Sequence, residues 1–395
     1  MSRAEQDAGP AQGEIVARHH ATGESLRVAW RDGVLTSVEA ATASPGGRWI
    51  APALVDLQVN GFAGVDFQQD ALTLDQLVTA VAGLRAAGCA RFLLTLVTDG
   101  WPQLMGRLRA IRRLRENSAM LQSAIVGWHV EGPFLSPLTG FCGAHDPKCM
   151  CDPTSDHIRE LREVTGADLV LLTLAPERHG ALNAIELASS LGIQVSLGHT
   201  DASTDILLRA IRAGAIAFTH LGNGCPRELD RHGNILWRVL DLPPHFHVSL
   251  IPDGIHVPPE FLRVVHRLRG ASIFHVSDAM AAAGAPPGRH PLGRLELEVG
   301  ADQIVRFPGG TQFAGSALRP IEGVFRAATM LQCGWQNAWK YFSEIPARLL
   351  LLPCELRAGA AANFCVIEEG EDPLSPDPSK VVTVSARAPT LSRWR

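Results

Sequence analysis

The chain has 395 residues and a formal net charge of −4. It is long enough for one large core or two smaller ones, and too nearly neutral to suggest a nucleic-acid or anionic-membrane partner. No apolar run reaches the ~18 residues that span a bilayer, the opening MSRAEQDAGPAQGE lacks the apolar centre of a secretory signal and reads as a short tail, and eight scattered cysteines fit a reducing, cytoplasmic compartment better than a disulfide scaffold.

After the tail, EIVARHHATGESLRVAWRDGVLTSVEA is short, β-branched and broken by glycine. It predicts antiparallel strands with turns at TGES and RDG. Then strand-length apolar runs begin to alternate with segments of helical period. The runs are PALVDLQV (52–59), RFLLTLV (91–97), AIVGWHV (124–130), LVLLTLA (169–175), IQVSLGH (193–199), AIAFTH (215–220), HVSLIPD (247–253) and SIFHVSD (272–278). The clearest helices between them are LDQLVTAVAGLRAAG (74–88), ALNAIELASSLG (181–192) and STDILLRAIRAG (203–214), each ending in glycine. Strands that are apolar nearly throughout and alternate with helices imply a parallel sheet covered on both faces. Eight such units predict a (β/α)8, TIM-like barrel over residues 51–349. An open doubly wound sheet is the alternative, weakened by the lack of GxGxxG after the first run. Near residue 350 the pattern turns β-like again, with strands expected in GAAANFCVIEEG and KVVTVSARA and a loop in EDPLSPDPSK. Residues 1–50 and 350–395 are therefore expected to form one small β-sandwich domain, with the barrel inserted between its halves.

In such a barrel, function sits at the C-terminal ends of the strands. The polar residues there are Gln58 and Asn60 on the first strand, His129 and Glu131 on the third, and His199 and His220 on the fifth and sixth. The seventh supplies Asp253 and His256, and the eighth supplies Asp278. Ionisable groups in a barrel mouth are costly to desolvate unless paired or bound to a cation. Glu131, His199 and His220 offer one oxygen and two imidazole nitrogens, a set that suits zinc or a similar divalent ion. Three protein ligands leave a position for water, which the ion acidifies, and Asp278 is placed to act as general base. The chemistry predicted is metal-assisted hydrolysis of a C–N or C–O bond. Any one histidine at a strand end is more often structural; the joint pattern carries the reading. His129 shares the parity of Glu131 and reads first as a packed core histidine. His157, His179, His245, His247, His266 and His290 read as surface or structural. The segment CGAHDPKCMC, with Cys142, His145, Cys149 and Cys151, lacks the paired CxxC spacing of a structural zinc site, so free thiols on a loop are expected.

In this order, HVEGPFLSP, GAHDP, SLGHT, FTHLGN, DGIHV and VSDAMAAAG resemble the N-acetylglucosamine-6-phosphate deacetylases of the amidohydrolase superfamily. The resemblance runs from PALVDLQVNGFAGVDF to FAGSAL, with a weaker echo in IPARLL and GAAANF. It implies the barrel and flanking β domain, and a cytoplasmic enzyme, usually a homodimer, that removes acetate from the 2-acetamido group of a phosphorylated amino sugar. It implies Glu131, His199 and His220 as metal ligands, Asp278 as catalytic acid/base, and His145 as the contact to the acetamide carbonyl. The implied substrate pocket takes in Ala144, His145, Asn223, Gly224, Arg231, Asp253, His256 and the backbone of Phe313, Ala314 and Gly315. Within it His256 and Asn223 hold the sugar phosphate, and Arg231 reaches the phosphate, in many members from the neighbouring subunit.

The chain departs from these patterns in three places. The HxH pair that usually opens the superfamily's first strand reads QVN here, and amides are poor zinc ligands beside imidazole. One divalent ion, zinc, is expected rather than two. The family's HLFNAM reads HLGNGC, and its REPG reads RHGN (Arg231 to Asn234), both where sugar and phosphate are recognised. The predicted reaction converts N-acetylglucosamine 6-phosphate to glucosamine 6-phosphate and acetate. The alternatives are a different N-acetylated sugar, another C–N bond as in deamination or cyclic-amide opening, or an inactive barrel scaffold. The missing HxH counts against deamination, and the surviving ligand set with Asp278 counts against a scaffold.

Overall fold

The structure, a computed structural model, describes residues 12–310, 313–369 and 381–385. The EDPLSPDPSK segment and the tail up to residue 11 lie outside the described residues, as does the end of KVVTVSARA beyond residue 385. The last residues of the expected tail are already strand, because Gln12 and Gly13 pair with Arg31 and Trp30.

Eight parallel strands follow one another around a nearly closed barrel. They are Leu54–Val59, Cys89–Val97, Ile125–Glu131, Leu169–Leu174, Gln194–Leu197, Ala215–Phe218, His247–Leu250 and Ile273–His275. All eight predicted runs are present, with ends displaced by a few residues. The strands are buried over most of their length, as expected for a sheet with helices outside and side chains within. Leu57, Leu93, Leu171, Ala217 and Phe274 form an apolar cluster from five strands, joined by Ile345 and Ala347 of helix Glu344–Leu349.

The predicted helices form where local signals agree. Thr73 caps Leu74–Ala86 in a reciprocal box with Gln76. Ser203 caps Thr204–Arg212, and Ala181–Ser190 gives way to Gly192 at φ 74°.

Between the first and eighth strands the barrel closes without a regular ladder. Val59 and Ala279 make an isolated parallel bridge, and the Asn60 N–H donates to the Ala279 carbonyl at 2.7 Å. A buried side chain supplies much of the rest of the seam. Asp56, fully buried, accepts the Ser277 N–H on both oxygens at 3.3 and 3.1 Å and the Gln58 N–H at 3.1 Å. Burial pushes its carboxyl up to about 7, against the hydrogen bonds it accepts.

Strands from both ends of the chain share one six-stranded sheet. Phe364–Glu368 lies between Val381–Val384 and Arg48–Pro52, antiparallel to both, and Arg48–Pro52 runs parallel to Gln12–His19. Trp30 meets Phe364 edge-on across this sheet, ring centroids 5.2 Å apart. A three-stranded sheet, Gly288–Leu292, Leu295–Val299 and Val305–Arg306, is inserted after the eighth barrel strand. The Gly293 N–H in its turn donates to Asp66 at 2.8 Å, which pins the hairpin over the barrel mouth.

Candidate active site

Glu131 is the last residue of the third strand, and its pairing with Thr173 fixes its height at the mouth. His199 and His220 each stand two residues past their strands, at φ 51° and 34°, and Asp278 sits beyond the eighth strand at φ 51°. Left-handed backbone at a non-glycine residue costs on the order of 1–3 kcal/mol and persists where the surroundings over-determine it. Three of the four predicted chemical residues adopt it. The turn re-aims each side chain from the strand axis toward the centre of the mouth.

There the groups converge. Ligand atoms of Glu131, His199 and His220 all lie within 4.8 Å of one another, and all three residues are buried. His220 Nε2 is 2.9 Å from Glu131 Oε1, His199 Nε2 is 3.5 Å from the same oxygen, and the two imidazole nitrogens are 3.3 Å apart. His199 Nδ1 donates to the Phe141 carbonyl at 2.8 Å, which leaves the lone pair of Nε2 facing the centre. A backbone carbonyl in this role sets the tautomer a metal ligand needs. Burial works to raise the Glu131 carboxyl, but the neighbouring His199 and His220 outweigh it and hold the group well below its usual range. For His220 burial works downward and is outweighed by the hydrogen bond and charge of Glu131. Two neutral-capable imidazoles and a carboxylate, aimed at one point and otherwise pressed against each other, fit a divalent cation.

The first-strand amides are committed elsewhere. Gln58 Nε2 donates to Glu131 Oε1 at 3.0 Å, and Asn60 Nδ2 donates to Asp278 Oδ1 at 2.7 Å. Each amide thus braces one carboxylate. Burial, then the charge of Glu131, pushes the Asp278 carboxyl up to about 6.

His145, on the loop after the third strand, has Nε2 3.8 Å from Glu131 Oε2. Its Nδ1 is 2.8 Å from Thr98 Oγ1 and receives the Thr98 N–H at 3.4 Å, so the ring proton is assigned to Nε2, facing the site. Burial, reinforced by neighbouring His199, lowers its pKa to about 3, so it is a neutral donor. Thr98 escaped the sequence reading, although it follows the second strand's end and the strand-end rule could have found it. His129, one layer below Glu131, is a core histidine as expected: Nε2 meets Thr173 Oγ1 at 2.8 Å, and burial holds its pKa down to about 4.

The remaining predicted residues, Arg231 apart, lie around the mouth. Asp253 accepts the N–H groups of Ile255 and His256 at 2.8 Å each and meets His256 Nδ1 at 2.6 Å, so it orients that imidazole. His256 faces Phe313, ring centroids 5.7 Å apart. The segment through Ala314 and Gly315 is tied to Asp278, because the Ser316 N–H donates to the Asp278 carbonyl at 3.1 Å. Gly224 lies against the His199 ring, and a Cβ there would meet Nδ1 at 2.8 Å. Ala144 packs toward the Met280–Ala282 cluster. Asn60 Oδ1, His220 Nδ1 and Asn223 Nδ2 are buried with no partner among the described residues; such groups around a mouth are candidates for water or substrate contacts. Arg231 stands apart, exposed on the loop after the sixth strand. In the altered RHGN segment, Asn234 caps helix Ile235–Leu240 through the N–H groups of Leu236 and Trp237, a structural use for one departure. Cys142, Cys149 and Cys151 are free thiols. Among the described residues the only cluster of three or more metal-capable groups is Glu131, His199 and His220.

A (β/α)8 barrel that gathers a carboxylate and two imidazoles at its mouth, with a braced aspartate beside them, defines a hydrolase of the amidohydrolase type. No family model matches the chain. It is 33% identical to the N-acetylglucosamine-6-phosphate deacetylase of Danio rerio over 334 residues, 81% of this chain and 80% of the relative. The enzyme of the same name from Vibrio furnissii is 31% identical over 76% of this chain and 73% of its own length. A variant of the Mycobacterium smegmatis deacetylase, solved in complex with N-acetyl-D-glucosamine-6-phosphate, superposes with a TM-score of 0.83 at 28% identity, covering 94% of this chain and 100% of the other. The chain belongs to the N-acetylglucosamine-6-phosphate deacetylase family.

Proposed function

We propose that the protein hydrolyses the acetamide of N-acetylglucosamine 6-phosphate to glucosamine 6-phosphate and acetate. The observation that carries this reading is the convergence of Glu131, His199 and His220 within 4.8 Å, beside an aspartate with one oxygen tied down. Glu131, His199 and His220 would hold one divalent ion, zinc by the nature of the donors; when bound it supplies Lewis acidity toward a carbonyl and water. Asp278 Oδ1 is fixed by Asn60, and its other oxygen takes a proton from the attacking water. The same carboxyl then delivers that proton to the leaving nitrogen as the C–N bond breaks. His145 donates from Nε2 to the acetamide oxygen as negative charge grows there, the role of an oxyanion donor. Asp253 holds His256 toward the sugar phosphate, with Asn223, Gly224, Ala144 and the Phe313–Gly315 backbone around the ring. Arg231, exposed on the loop after the sixth strand, suits a phosphate contact delivered to a second copy, hence a homodimer. No helix among the described residues is long and apolar enough to cross a membrane.

Acetate release from N-acetylglucosamine 6-phosphate, N-acetylgalactosamine 6-phosphate and unphosphorylated N-acetylglucosamine tests the reading. The first is expected to give the highest kcat/KM. No acetate from any of them, with ammonia released from an aminated ring compound, overturns it in favour of a deaminase.

A further inference from the structure

The barrel mouth has two sides, and the sugar accounts for one of them. Most groups read as sugar and phosphate contacts follow strands six, seven and eight, Asn223, His256 and Phe313 to Gly315 among them; Ala144, after strand three, stands between the two sides. Across the mouth, over the ends of strands one to three, lies a cavity of about 300 Å³. In the eight-strand order the second strand stands opposite the sixth. Val97 and Thr98 wall the cavity from strand two, Ala144 and His145 from the loop after strand three, and Leu292 and Leu295 from the inserted hairpin. His145 belongs to both spaces, since its Nε2 is 3.8 Å from Glu131 Oε2. The two cations at the cavity's rim are paired: Arg107 and Arg294 both meet Asp99, at 3.1 and 2.9 Å, and the other rim charge, Asp146, is an anion. What remains is a largely apolar chamber beside the site groups, with no unpaired cation in its lining to attract an anion.

We propose that this cavity receives the acyl group, and that the enzyme also releases straight-chain acyl groups longer than acetyl, propionyl and butyryl among them, from N-acylated amino sugar phosphates. The inference rests on the deacetylase reading. An amide with its carbonyl oxygen at His145 and its sugar toward strands six to eight has its acyl chain on the side of strands one to three. A methyl group needs roughly the ~30 Å³ share of one water molecule, a small part of the space present. A pocket closed tightly around a methyl rejects each added methylene by about 10–200-fold; an open apolar chamber gains from burying it. The chemistry is unchanged: one water is consumed, the C–N bond breaks, Asp278 passes the proton to the amine, and a longer carboxylate leaves in place of acetate.

The test uses the metal-loaded enzyme with N-acetyl, N-propionyl and N-butyryl glucosamine 6-phosphate, following release of the free amine. The proposal expects kcat/KM for the two longer substrates within tenfold of the acetyl compound; a larger drop on either overturns it. Leu295→Trp, which fills the chamber from the hairpin, is expected to lower the butyryl-to-acetyl ratio of kcat/KM at least tenfold. An unchanged ratio in the folded variant also overturns the proposal. No amine from the acetyl compound would overturn the deacetylase reading itself, and this proposal with it.

Discussion

In the proposed reaction Asp278 does the proton chemistry with one carboxyl, and its neighbours prescribe how it can fail. Asp278→Asn keeps the shape and the Asn60 contact but cannot accept a proton. It is expected to lower kcat by about 10²–10⁴-fold, the range of general acid–base catalysis, while metal content measured on the same sample stays that of the parent. Because burial and Glu131 push the carboxyl up to about 6, its protonated, inactive form grows as the pH falls. The rate should therefore decline on the acid side at or below about pH 6, a bound cation moving the limb lower still. An acid limb above pH 7 that disappears in Asp278→Asn contradicts this. At this scale the sequence was most informative about residue types. The placement of Glu131, His199, His220 and Asp278 at the barrel mouth was legible because it follows from where the apolar runs end. The bracing by Gln58 and Asn60 was not, because hydrogen-bond partners across 73 and 218 residues leave no local pattern. Nor was the left-handed turn at His199, His220 and Asp278, since nothing in SLGHT, FTHL or VSDA marks a non-glycine residue for it.

At the scale of elements, the eight strands were readable because near-continuous apolar runs with helices between them have few other uses. The seam was not readable. Asp56 looks like a misplaced charge in PALVDLQV until its carboxylate is seen to close the barrel on Ser277. Its pKa of about 7 lies above its ordinary value of 3.8, so the sign follows by linkage. Its contribution to stability is full below about pH 4 and is lost as the pH rises through about 7. Asp56→Asn removes that slope, and its amide N–H groups would oppose the Ser277 N–H, so one buried donor loses its partner at about 1–3 kcal/mol. Thermal unfolding of parent and variant between pH 4 and 8 checks both: the variant should melt lower at pH 4, with the gap narrowing as the pH rises. A gap that widens with pH contradicts the assignment. The inserted three-stranded sheet after strand eight was also missed, because GRHPLGRLELEVG is too short and charged to stand out beside the barrel runs.

On the scale of the whole molecule, both ends of the chain enter one sheet, so the barrel begins and ends at neighbouring points. The altered HLGNGC and RHGN segments sit together on the loop after strand six, with Arg231 and Trp237 exposed there. A second copy docking at this loop would complete the phosphate site. Sedimentation is expected to give twice the 42.4 kDa of one chain. Arg231→Ala should raise KM at least tenfold on the 6-phosphate and leave the unphosphorylated sugar unaffected; a monomer, or equal effects on both sugars, contradicts that role.

The central claim is that one carboxylate and two imidazoles bind a single ion. Elemental analysis of the purified protein and of Glu131→Gln tests it directly: close to one divalent ion per chain is predicted for the parent, and well under half of that for the variant. Two ions per chain, or equal loading in the two proteins, would contradict it.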